Sequence, residues 1–321
     1  MRILYLRNQK INKDILIMFK VNSNKVETVK FPDGTHGIFN LSVPSSQLFQ
    51  ISSFFSGNVE KYCIKWLYES DEDYIILKYI VDHIREKSYK AEIQLTMPYV
   101  PNARMDRTKS NNEVFTLKYF ANFINSLNLD KVVIFDPHSD VTPALINNVD
   151  IINPGIMIYK VIDKIKDKQF VVYFPDYGAK KRYSDCFNIF KTDGYDYDIV
   201  YGVKNRDWET GKIVGLDICD ADGINLKYSV NFKDVLKDKT VLMVDDIVSY
   251  GGTLAYSADK LKEFECGDIY AYVSHTENSV LDEEKGKLLE RLKNGTVKKV
   301  FTTDSLYTGD SEYIDVIYNF F

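Results

Sequence analysis

The sequence predicts an α/β protein made of two doubly wound domains. Three observations support this prediction. Short apolar runs that suit buried strands recur along the chain, a polar turn follows each run, and helical spacing of apolar residues follows several of the turns. Continuous rather than alternating apolar runs are typical of parallel strands covered on both faces. The chain has 321 residues, which is enough for two domains of roughly 150 residues each.

The elements follow one another in a regular order. They are a strand over 93–100, a helix over 113–128, strands over 131–139, 170–178 and 240–253, and a helix over 254–264. Each of the strands runs into a loop that carries charged or hydroxyl side chains. We therefore expect a sheet whose polar groups gather where strands end.

Composition excludes several functional classes. The 41 Lys and Arg residues are balanced by 46 Asp and Glu residues, for a net charge of −5, whereas a general nucleic-acid binder normally carries a basic excess. No apolar run approaches the length that a membrane-spanning helix needs, and the first ten residues lack the apolar core of a signal peptide. The four cysteines form no CxxC pair, so we expect no zinc site, and buried, reduced thiols in a cytoplasmic protein.

Polar side chains mark the ends of the predicted strands. Asp136 and His138 follow one strand, Asp176 follows the next, and Asp245 and Asp246 stand at the end of a third. Ligands of open parallel sheets bind beyond the carboxyl ends of the strands. A single Asp in such a place is often only a helix cap, but its recurrence at several strands favours a binding site.

The segment 240–253 carries the strongest signal. An apolar strand leads into an acidic pair and then into a tight turn that opens a helix. Glycines let the backbone approach an anion, and the N–H groups of a helix N-terminus face it. Carboxylates repel phosphate but accept hydrogen bonds from vicinal sugar hydroxyls. The pattern therefore predicts a ribose-phosphate pocket, with the sugar hydroxyls on the acidic pair and the phosphate on the turn, formed by Asp245, Asp246, Ser249, Tyr250, Gly251, Gly252 and Thr253.

The segment VLMVDDIVSYGGT (241–253) resembles the phosphoribosyl-pyrophosphate (PRPP) binding loop of two families. These are the type I phosphoribosyltransferases and the ribose-phosphate pyrophosphokinases, or PRPP synthetases. Further segments resemble the synthetase motifs, in the synthetase order and over nearly the whole chain. They are FPDG (31–34), MPYVPNARMDR (97–107), FDPHS (135–139), PDYGAKKR (175–182), YGVKNRD (201–207), SHTEN (274–278) and TTDSL (302–306).

The resemblance implies two tandem type I phosphoribosyltransferase-like domains, each a mainly parallel sheet flanked by helices. The first would bind ATP and span 1–150, joined by about 300–321, and the second would bind the ribose phosphate and span 151–300. The implied reaction is Mg²⁺-dependent transfer of a diphosphoryl group from ATP to the anomeric hydroxyl of a ribose phosphate, with release of AMP. A homo-oligomer is also implied, because the family's ATP site borrows residues like FPDG from a neighbouring subunit.

The resemblance also implies roles for individual residues. Lys204 and Arg206, in the segment that matches the family's flexible loop, would be catalytic and would close over the transferred group. His138 and Asp176 would lie beside the metal ion. The ATP-binding residues would be Phe31, Asp33, Arg104, Asp106, Arg107 and His138. Asp176 would also contact the ribose.

Two positions depart from the family pattern. The adenine-reading element usually ends in Glu, and this chain has Thr35. The phosphate turn normally has a small Thr or Ser where this chain has Tyr250, whose ring could stack on a base joined through a diphosphate. We therefore carry two acceptors, ribose 5-phosphate and ADP-ribose. The second would place the chain in a phage branch that makes ADP-ribose 1-pyrophosphate for NAD⁺ rebuilding, and the abundant Tyr, Phe, Lys, Asn and Ile residues are typical of an AT-rich genome such as that of a low-GC bacterium or a phage.

Two other functions stay open. A type I phosphoribosyltransferase would use the same phosphate loop but would not need the other motifs in synthetase order. A catalytically silent regulator associated with a synthetase is the alternative that is not an enzyme. The presence of Lys204, Arg206 and the acidic pair argues against the regulator.

Overall fold

The computed structural model describes residues 18–43, 59–165, 169–192, 194–206, 213–226 and 233–321. Contacts between residues divide the chain into two compact units. Unit 1 comprises Met1–Ile134 and Val141–Asp150, and unit 2 comprises Phe135–Asp140 and Ile151–Phe321.

Within the described residues, the first sheet has seven strands in the order β3-β2-β1-β4-β5-β6-β7. Strands β4, β5 and β6 are parallel, whereas β1, β2 and β3 form an antiparallel extension. The strands are β1 Phe19–Val21, β2 Asn24–Lys30, β3 His36–Phe39, β4 Lys61–Trp66, β5 Glu92–Met97, β6 Lys131–Phe135 and β7 Val149–Ile152. The helices of this part are α1 Asp73–Lys87, α2 Thr116–Ser126 and α3 Val141–Leu145.

The core of unit 1 is built around Trp66, the last residue of β4. Its ring is fully buried and stacks on Phe19 with the ring centroids 5.9 Å apart. The indole N–H donates to a carboxylate oxygen of Asp73, which is itself fully buried at the start of α1. The same oxygen accepts the backbone N–H groups of Glu69 and Ser70. One carboxylate therefore joins the end of β4 to the start of α1.

The second sheet also has seven strands, in the order β10-β9-β8-β11-β12-β13-β14. All neighbouring pairs are parallel except β9 and β10. The strands are β8 Gln169–Phe174, β9 Asp196–Arg206, β10 Ile213–Asp220, β11 Thr240–Val248, β12 Ile269–Thr276, β13 Lys299–Thr303 and β14 Ile314–Tyr318. The helices are α4 Gly155–Ile165, α5 Tyr177–Thr192, α6 Lys233–Leu236, α7 Gly252–Lys262 and α8 Lys287–Lys293, and a 3₁₀ turn covers Asn278–Leu281.

Both faces of the second sheet are buried at its central strand, β11. Successive residues of a strand point to opposite faces, and along β11 Val241 and Met243 join one apolar cluster while Leu242 and Val244 join the other. The apolar run of β11 is continuous because apolar clusters cover the strand on both sides. The acidic pair of β11, Asp245 and Asp246, follows this apolar stretch, as the sequence predicts, and the predicted fold class is confirmed.

Several boundaries differ from the sequence predictions. The helix expected over 113–128 is α2 and begins three residues later, and the helix expected from Leu254 is α7 and begins at Gly252. The segment that resembles a flexible loop is extended, because Lys204 and Arg206 lie in β9 and pair with β10. The side chain of Arg206 and residues 207–212 lie outside the described part of the structure.

The C-terminal residues were expected to join the first domain, and this expectation is wrong. Strands β13 and β14 extend the second sheet by parallel pairing. Phe320 is buried and packs on Phe135 with the ring centroids 5.0 Å apart, in unit 2. Pairing to the sheet edge and burial of this aromatic ring therefore keep the chain end in unit 2.

The cysteine expectation holds for three positions and fails for one. Cys186, Cys219 and Cys266 are free and buried, whereas Cys63 is free and exposed. The alternation of β4 places Cys63 on the same open face as Lys61. No helix in the described residues is long and apolar enough to span a membrane.

Asp73→Ala should lower the free energy of unfolding of unit 1 by about 2–4 kcal/mol, since three buried or half-buried N–H donors lose their acceptor. Asp73→Asn keeps an oxygen acceptor and should cost clearly less. Urea unfolding followed by fluorescence, in a Trp208→Phe background that leaves Trp66 as the reporter, measures both. Equal losses for the two variants would contradict a role for these hydrogen bonds.

Candidate active site

Three neighbouring strands of unit 2 bring candidate residues to one edge of the sheet. Asp176 follows β8, Lys204 lies near the end of β9, and Asp245 and Asp246 lie in the second half of β11. Because β9, β8 and β11 are parallel neighbours, their carboxyl ends meet at the same edge. The segment 135–140 adds His138 to this group through its contact with Asp246.

Asp246 is a buried, ionised carboxylate, only 4% exposed. One of its oxygens lies 2.6 Å from Nδ1 of His138, and the other lies 3.0 Å from a terminal nitrogen of Arg182. Burial alone would raise the pKa of Asp246, but the hydrogen bond from His138 and the positive charge of Arg182 outweigh it and hold the pKa below its usual range. The sequence did not single out Arg182, which lies six residues after Asp176 on α5.

Asp245 is the other member of the acidic pair and has a different environment. It is partly exposed, and its Oδ1 accepts the backbone N–H of Asp246 at 3.0 Å. Burial of its carboxyl group, followed by the negative charges of Asp246 and Asp176, raises the pKa of Asp245 well above its usual value. The two adjacent carboxyl groups are therefore not equivalent, since His138 and Arg182 lie beside Asp246.

Asp176 connects two elements of the site. Its Oδ1 accepts the N–H of Ala179 at 3.0 Å, so that it caps the N-terminus of α5. Its Oδ2 lies 3.6 Å from Nζ of Lys204. The ordinary role of a strand-end Asp as a helix cap is therefore present here, and an ion pair with the candidate catalytic lysine accompanies it.

The turn 249–253 has the geometry of an anion-binding helix N-terminus. Gly251 has φ 74°, in the left-handed region, and a Cβ there would lie 2.3 Å from Cβ of Leu288. The carbonyl of Tyr250 accepts the N–H groups of Lys287 and Leu288 at 2.8 and 3.2 Å. The first N–H groups of α7, from Gly252 onward, have no acceptor within the helix. The carbonyl of Tyr250 thus holds the turn against α8, while the N–H groups of Gly252 and Thr253 have no acceptor within their own helix.

Tyr250 points partly into solvent. Its side chain is 41% exposed, and Nζ of Lys285 lies 6.0 Å from the centroid of its ring. Beside the turn, a cavity of about 240 Å³ is lined by Lys204, Leu216, Gly252, Thr253, Tyr256 and Ser257. Lys204, the N-terminus of α7 and Tyr256 thus border the same space.

A layer of buried polar residues supports the segment that carries His138. Asp136 accepts hydrogen bonds from the hydroxyls of Tyr183 and Ser274, and its φ of 41° is unusual for a residue other than glycine. Burial, followed by the charge of Asp246, raises the pKa of Asp136 to about 7. No individual role for Tyr183 or Ser274 follows from the sequence analysis.

His275, at the end of β12, also holds the segment that carries His138, through the backbone carbonyls of two of its residues. One ring nitrogen, Nε2, lies 3.1 and 3.2 Å from the carbonyl oxygens of Phe135 and Asp136, and Nδ1 lies 2.7 Å from Oγ of Ser305. Carbonyl oxygens can only accept, so Nε2 carries the proton and Nδ1 accepts from the Ser305 hydroxyl. Burial lowers the pKa of His275 to about 4.

The remaining candidates from the sequence lie in unit 1 and are described there by themselves. Phe31 and Asp33 occupy the turn between β2 and β3, where Oδ1 of Asp33 accepts both the N–H and the hydroxyl of Thr35. The segment after β5 carries the basic and acidic residues Arg104, Asp106 and Arg107, of which Arg107 is highly exposed.

The metal prediction rests on His138 and Asp176. Among the described residues, no group of three or more His, Cys, Asp or Glu side chains is arranged to hold a metal ion. Mg²⁺ usually keeps several waters and binds through one or two carboxylates together with substrate phosphates. An exposed carboxylate such as Asp176 fits this mode of binding, in which phosphates supply most of the ligands.

A phosphoribosyl transferase domain model matches residues 155–303. A ribose-phosphate pyrophosphokinase of Buchnera aphidicola is 25% identical over 97% of this chain and 87% of its own length. That of Bacillus caldolyticus is 24% identical over the same shares of both chains. The crystal structure of phosphoribosylpyrophosphate synthetase from Mycobacterium smegmatis superposes with a TM-score of 0.64 at 17% identity, over 91% of this chain and 85% of that one, which shows a common fold.

Unit 2 is therefore a phosphoribosyltransferase-type α/β domain, with an acidic pair and a glycine turn at the carboxyl edge of its sheet. The similarity to curated relatives extends over almost the whole chain. The chain is similar to ribose-phosphate pyrophosphokinases over almost its whole length, and this similarity supports a diphosphotransferase-type enzyme.

His275 should make the stability of unit 2 depend on pH in the acid range. The folded protein resists protonation of His275 until about pH 4, whereas the unfolded chain binds that proton near pH 6.5. The contribution is therefore complete above pH 6.5 and is lost as the pH falls towards 4, by about 3 kcal/mol in total. The measurement is the difference in unfolding free energy between wild type and His275→Gln across this range, which should shrink as pH falls, and a constant difference would contradict it.

Proposed function

We propose that the protein transfers the β,γ-diphosphoryl group of ATP to the 1-hydroxyl of ribose 5-phosphate and releases AMP. The observation that carries the proposal is the group at one sheet edge, in which the acidic pair, the phosphate turn and the Lys204–Asp176 pair lie on neighbouring strands. The names of the full-length relatives support the same reaction.

In the proposed reaction, the anomeric hydroxyl oxygen attacks the β-phosphorus of ATP, and its proton is released to water. The bond between this phosphorus and the oxygen that bridges to the α-phosphorus breaks, and AMP leaves with that oxygen. Such transfers depend mainly on positioning and on neutralisation of charge. Lys204, next to Asp176, is placed to supply a positive charge, and Mg²⁺ bound to the phosphates would neutralise the rest.

The acceptor would bind along the turn and the acidic pair. The free N–H groups of Gly252 and Thr253 suit the 5-phosphate. Carboxyl oxygens at the end of β11 suit the vicinal hydroxyls of the ribose. Arg206 follows Lys204 by two residues and is proposed to assist it.

ATP binding is proposed to involve the candidate residues of unit 1. The ring of Phe31 is exposed in the β2–β3 turn and suits stacking on adenine, and Asp33 holds that turn through Thr35. Arg104 and Arg107 are proposed to contact the phosphates, with Asp106 between them. The stacking is proposed to occur across a subunit boundary in a homo-oligomer.

A second acceptor, ADP-ribose, is favoured by Tyr250. An exposed ring beside the phosphate turn, with the Lys285 ammonium near it, offers a stacking surface and a positive charge. An acceptor whose 5-phosphate continues through a second phosphate to a base could use both. The product would be ADP-ribose 1-pyrophosphate, made from the same anomeric hydroxyl.

The first experiment measures AMP release from ATP and Mg²⁺ with each acceptor offered separately, and weighs the products by mass spectrometry. We expect AMP together with ribose 5-phosphate that has gained a diphosphoryl group. Release of AMP without acceptor modification would contradict the proposal. Base-dependent consumption of PRPP would point to a phosphoribosyltransferase, and no turnover at all would point to a regulator.

Tyr250→Thr should lower kcat/KM for ADP-ribose about tenfold relative to ribose 5-phosphate if the ring stacks on the base. Tyr250→Phe keeps the ring and serves as the matched control. Steady-state kinetics with both acceptors checks this. Equal changes for both acceptors would remove the stacking role and leave ribose 5-phosphate as the acceptor.

Lys204→Ala should lower kcat by about 100-fold to 1,000-fold with little change in the KM for ATP, because its charge is needed when the phosphoryl group moves. Lys237→Ala removes an exposed lysine that pairs with Glu265 and serves as the control. AMP release under saturating substrates gives kcat for each. An unchanged kcat in Lys204→Ala would exclude this lysine from the transfer.

A further inference from the structure

We infer that Arg182 is a positioning residue that holds His138 and Asp246 in one fixed arrangement and thereby leaves Asp245 as the carboxyl group that receives the acceptor sugar. The inference rests on the proposed function, because it assigns roles within that site. It differs from the sequence-based expectation, in which both acidic residues contact the sugar and Arg182 has no role.

The first argument is a closed set of contacts. One terminal nitrogen of Arg182 lies 3.0 Å from Oδ1 of Asp246, and the other donates to the backbone carbonyl of His138. Oδ2 of Asp246 lies 2.6 Å from Nδ1 of that same histidine. The guanidinium group therefore holds the main chain of His138 directly and its ring through Asp246.

The second argument is the rigidity of Arg182 itself. Its side chain is 26% exposed and projects from α5, and its guanidinium carbon lies 5.5 Å from the ring centroid of Tyr183. The hydroxyl of Tyr183 donates to Asp136 at 2.5 Å, two residues before His138. Consecutive residues of one helix thus fix both the start of the segment 136–138 and its end.

The third argument concerns the ring of His138. Because Nδ1 faces a carboxylate oxygen, it carries the proton of that hydrogen bond, and Nε2 is the nitrogen left for other contacts. His138 lines a cavity of about 410 Å³ together with Lys181, Arg182 and Asn153. The pairing with Asp246 therefore determines which atom of His138 a phosphate group or a metal-bound ligand would meet.

The fourth argument separates the two members of the acidic pair. Asp246 is buried, and each of its two oxygens already has a partner of positive charge or an N–H donor. Asp245 is partly exposed, and its Oδ1 accepts the N–H of the residue that follows it. A sugar hydroxyl can therefore approach Asp245 without breaking an ion pair, whereas at Asp246 it would have to replace His138 or Arg182.

Lysine could not replace Arg182 in this role. A guanidinium group presents donors in a rigid planar fork, so one side chain can reach a carboxylate and a carbonyl at the same time. A lysine keeps the charge but has a single nitrogen on a flexible stem. Arg182→Lys therefore keeps the positive charge and removes the planar arrangement of N–H donors.

The kinetic experiment compares Arg182→Lys, His138→Asn and the double variant, with Ser184→Ala as the control. Ser184 lies on α5 and donates to the carbonyl of Lys180 in the same helix, so it reports on general disturbance of α5. We expect Arg182→Lys to lower kcat about tenfold or more with a smaller change in the KM of the acceptor, Ser184→Ala to change little, and the double variant to be no worse than His138→Asn. Independent, multiplying effects, or wild-type kinetics in Arg182→Lys, would overturn the proposal.

A spectroscopic arm does not depend on turnover. A proton on Nδ1 of His138 that is hydrogen-bonded to a carboxylate should give a strongly downfield ¹H resonance, assigned by its loss in His138→Asn. We expect this signal to be lost or shifted upfield in Arg182→Lys while circular dichroism and thermal unfolding stay close to wild type. Should that variant misfold, Arg182→Gln, which keeps N–H donors without the charge, takes its place with the same expectation. A signal unchanged in a folded variant would overturn the proposal.

The acceptor assignment has its own variants. Asp245→Asn should raise the KM of the acceptor more than Asp246→Asn does, whereas Asp246→Asn should reproduce the kinetic and spectroscopic changes of Arg182→Lys. The reverse order would contradict the division of roles. If wild type releases no AMP with any acceptor, the proposed function fails, and the resonance of His138 still decides whether Arg182 positions the ring.

Discussion

An ionised carboxylate that is almost wholly buried is the constraint on which the site depends. Asp246 is tolerable inside unit 2 only because a histidine and an arginine face its two oxygens. That requirement ties together the end of β11, the helix α5 and the segment 136–138, which are far apart in the sequence. Asp176 and Lys204 lie at the ends of β8 and β9, on the same side of β11 in the sheet.

The same constraint explains why the acidic pair is unequal. Two neighbouring carboxyl groups in a poorly solvated site cannot both ionise without cost. The cations lie beside Asp246, and the pKa of Asp245 is raised. Asp245 can therefore exchange a proton or gain a hydrogen-bond partner when substrate brings new charges. Asp246 stays ionised next to it.

Much of unit 2 follows from local sequence. Continuous apolar runs gave β8 and β11 with both faces buried, and the glycine turn before Leu254 gave the start of α7 to within two residues. Asp176, Asp245 and Asp246 were placed at the sheet edge by the rule for parallel strands. The same rule selected His138, and the resemblance to a known family added Lys204, which its position in the sequence alone would not have selected.

The parts that sequence reasoning missed depend on contacts between distant segments. Arg182 resembles any helical arginine until α5 is packed against the end of β11, and Ser274 is an ordinary strand residue until Asp136 meets it. The placement of residues 300–321 was wrong because the edge of a sheet can accept a strand from any part of the chain. Lys204 was expected in a loop because its pairing with β10 is not visible in its own sequence. The structure places it in a strand.

The contact of Gly251 with Leu288 has a consequence for how this chain can vary. The turn has no room for a side chain at Gly251, because Leu288 at the start of α8 occupies that space. The N–H groups of Lys287 and Leu288 also hold the carbonyl of Tyr250. The segment 282–288, which leads into α8, therefore determines the shape of a turn that lies more than thirty positions before Leu288. A lengthened or shortened 282–288 segment would misshape the phosphate turn even if every residue of 249–253 were retained, so the two segments must be transplanted together.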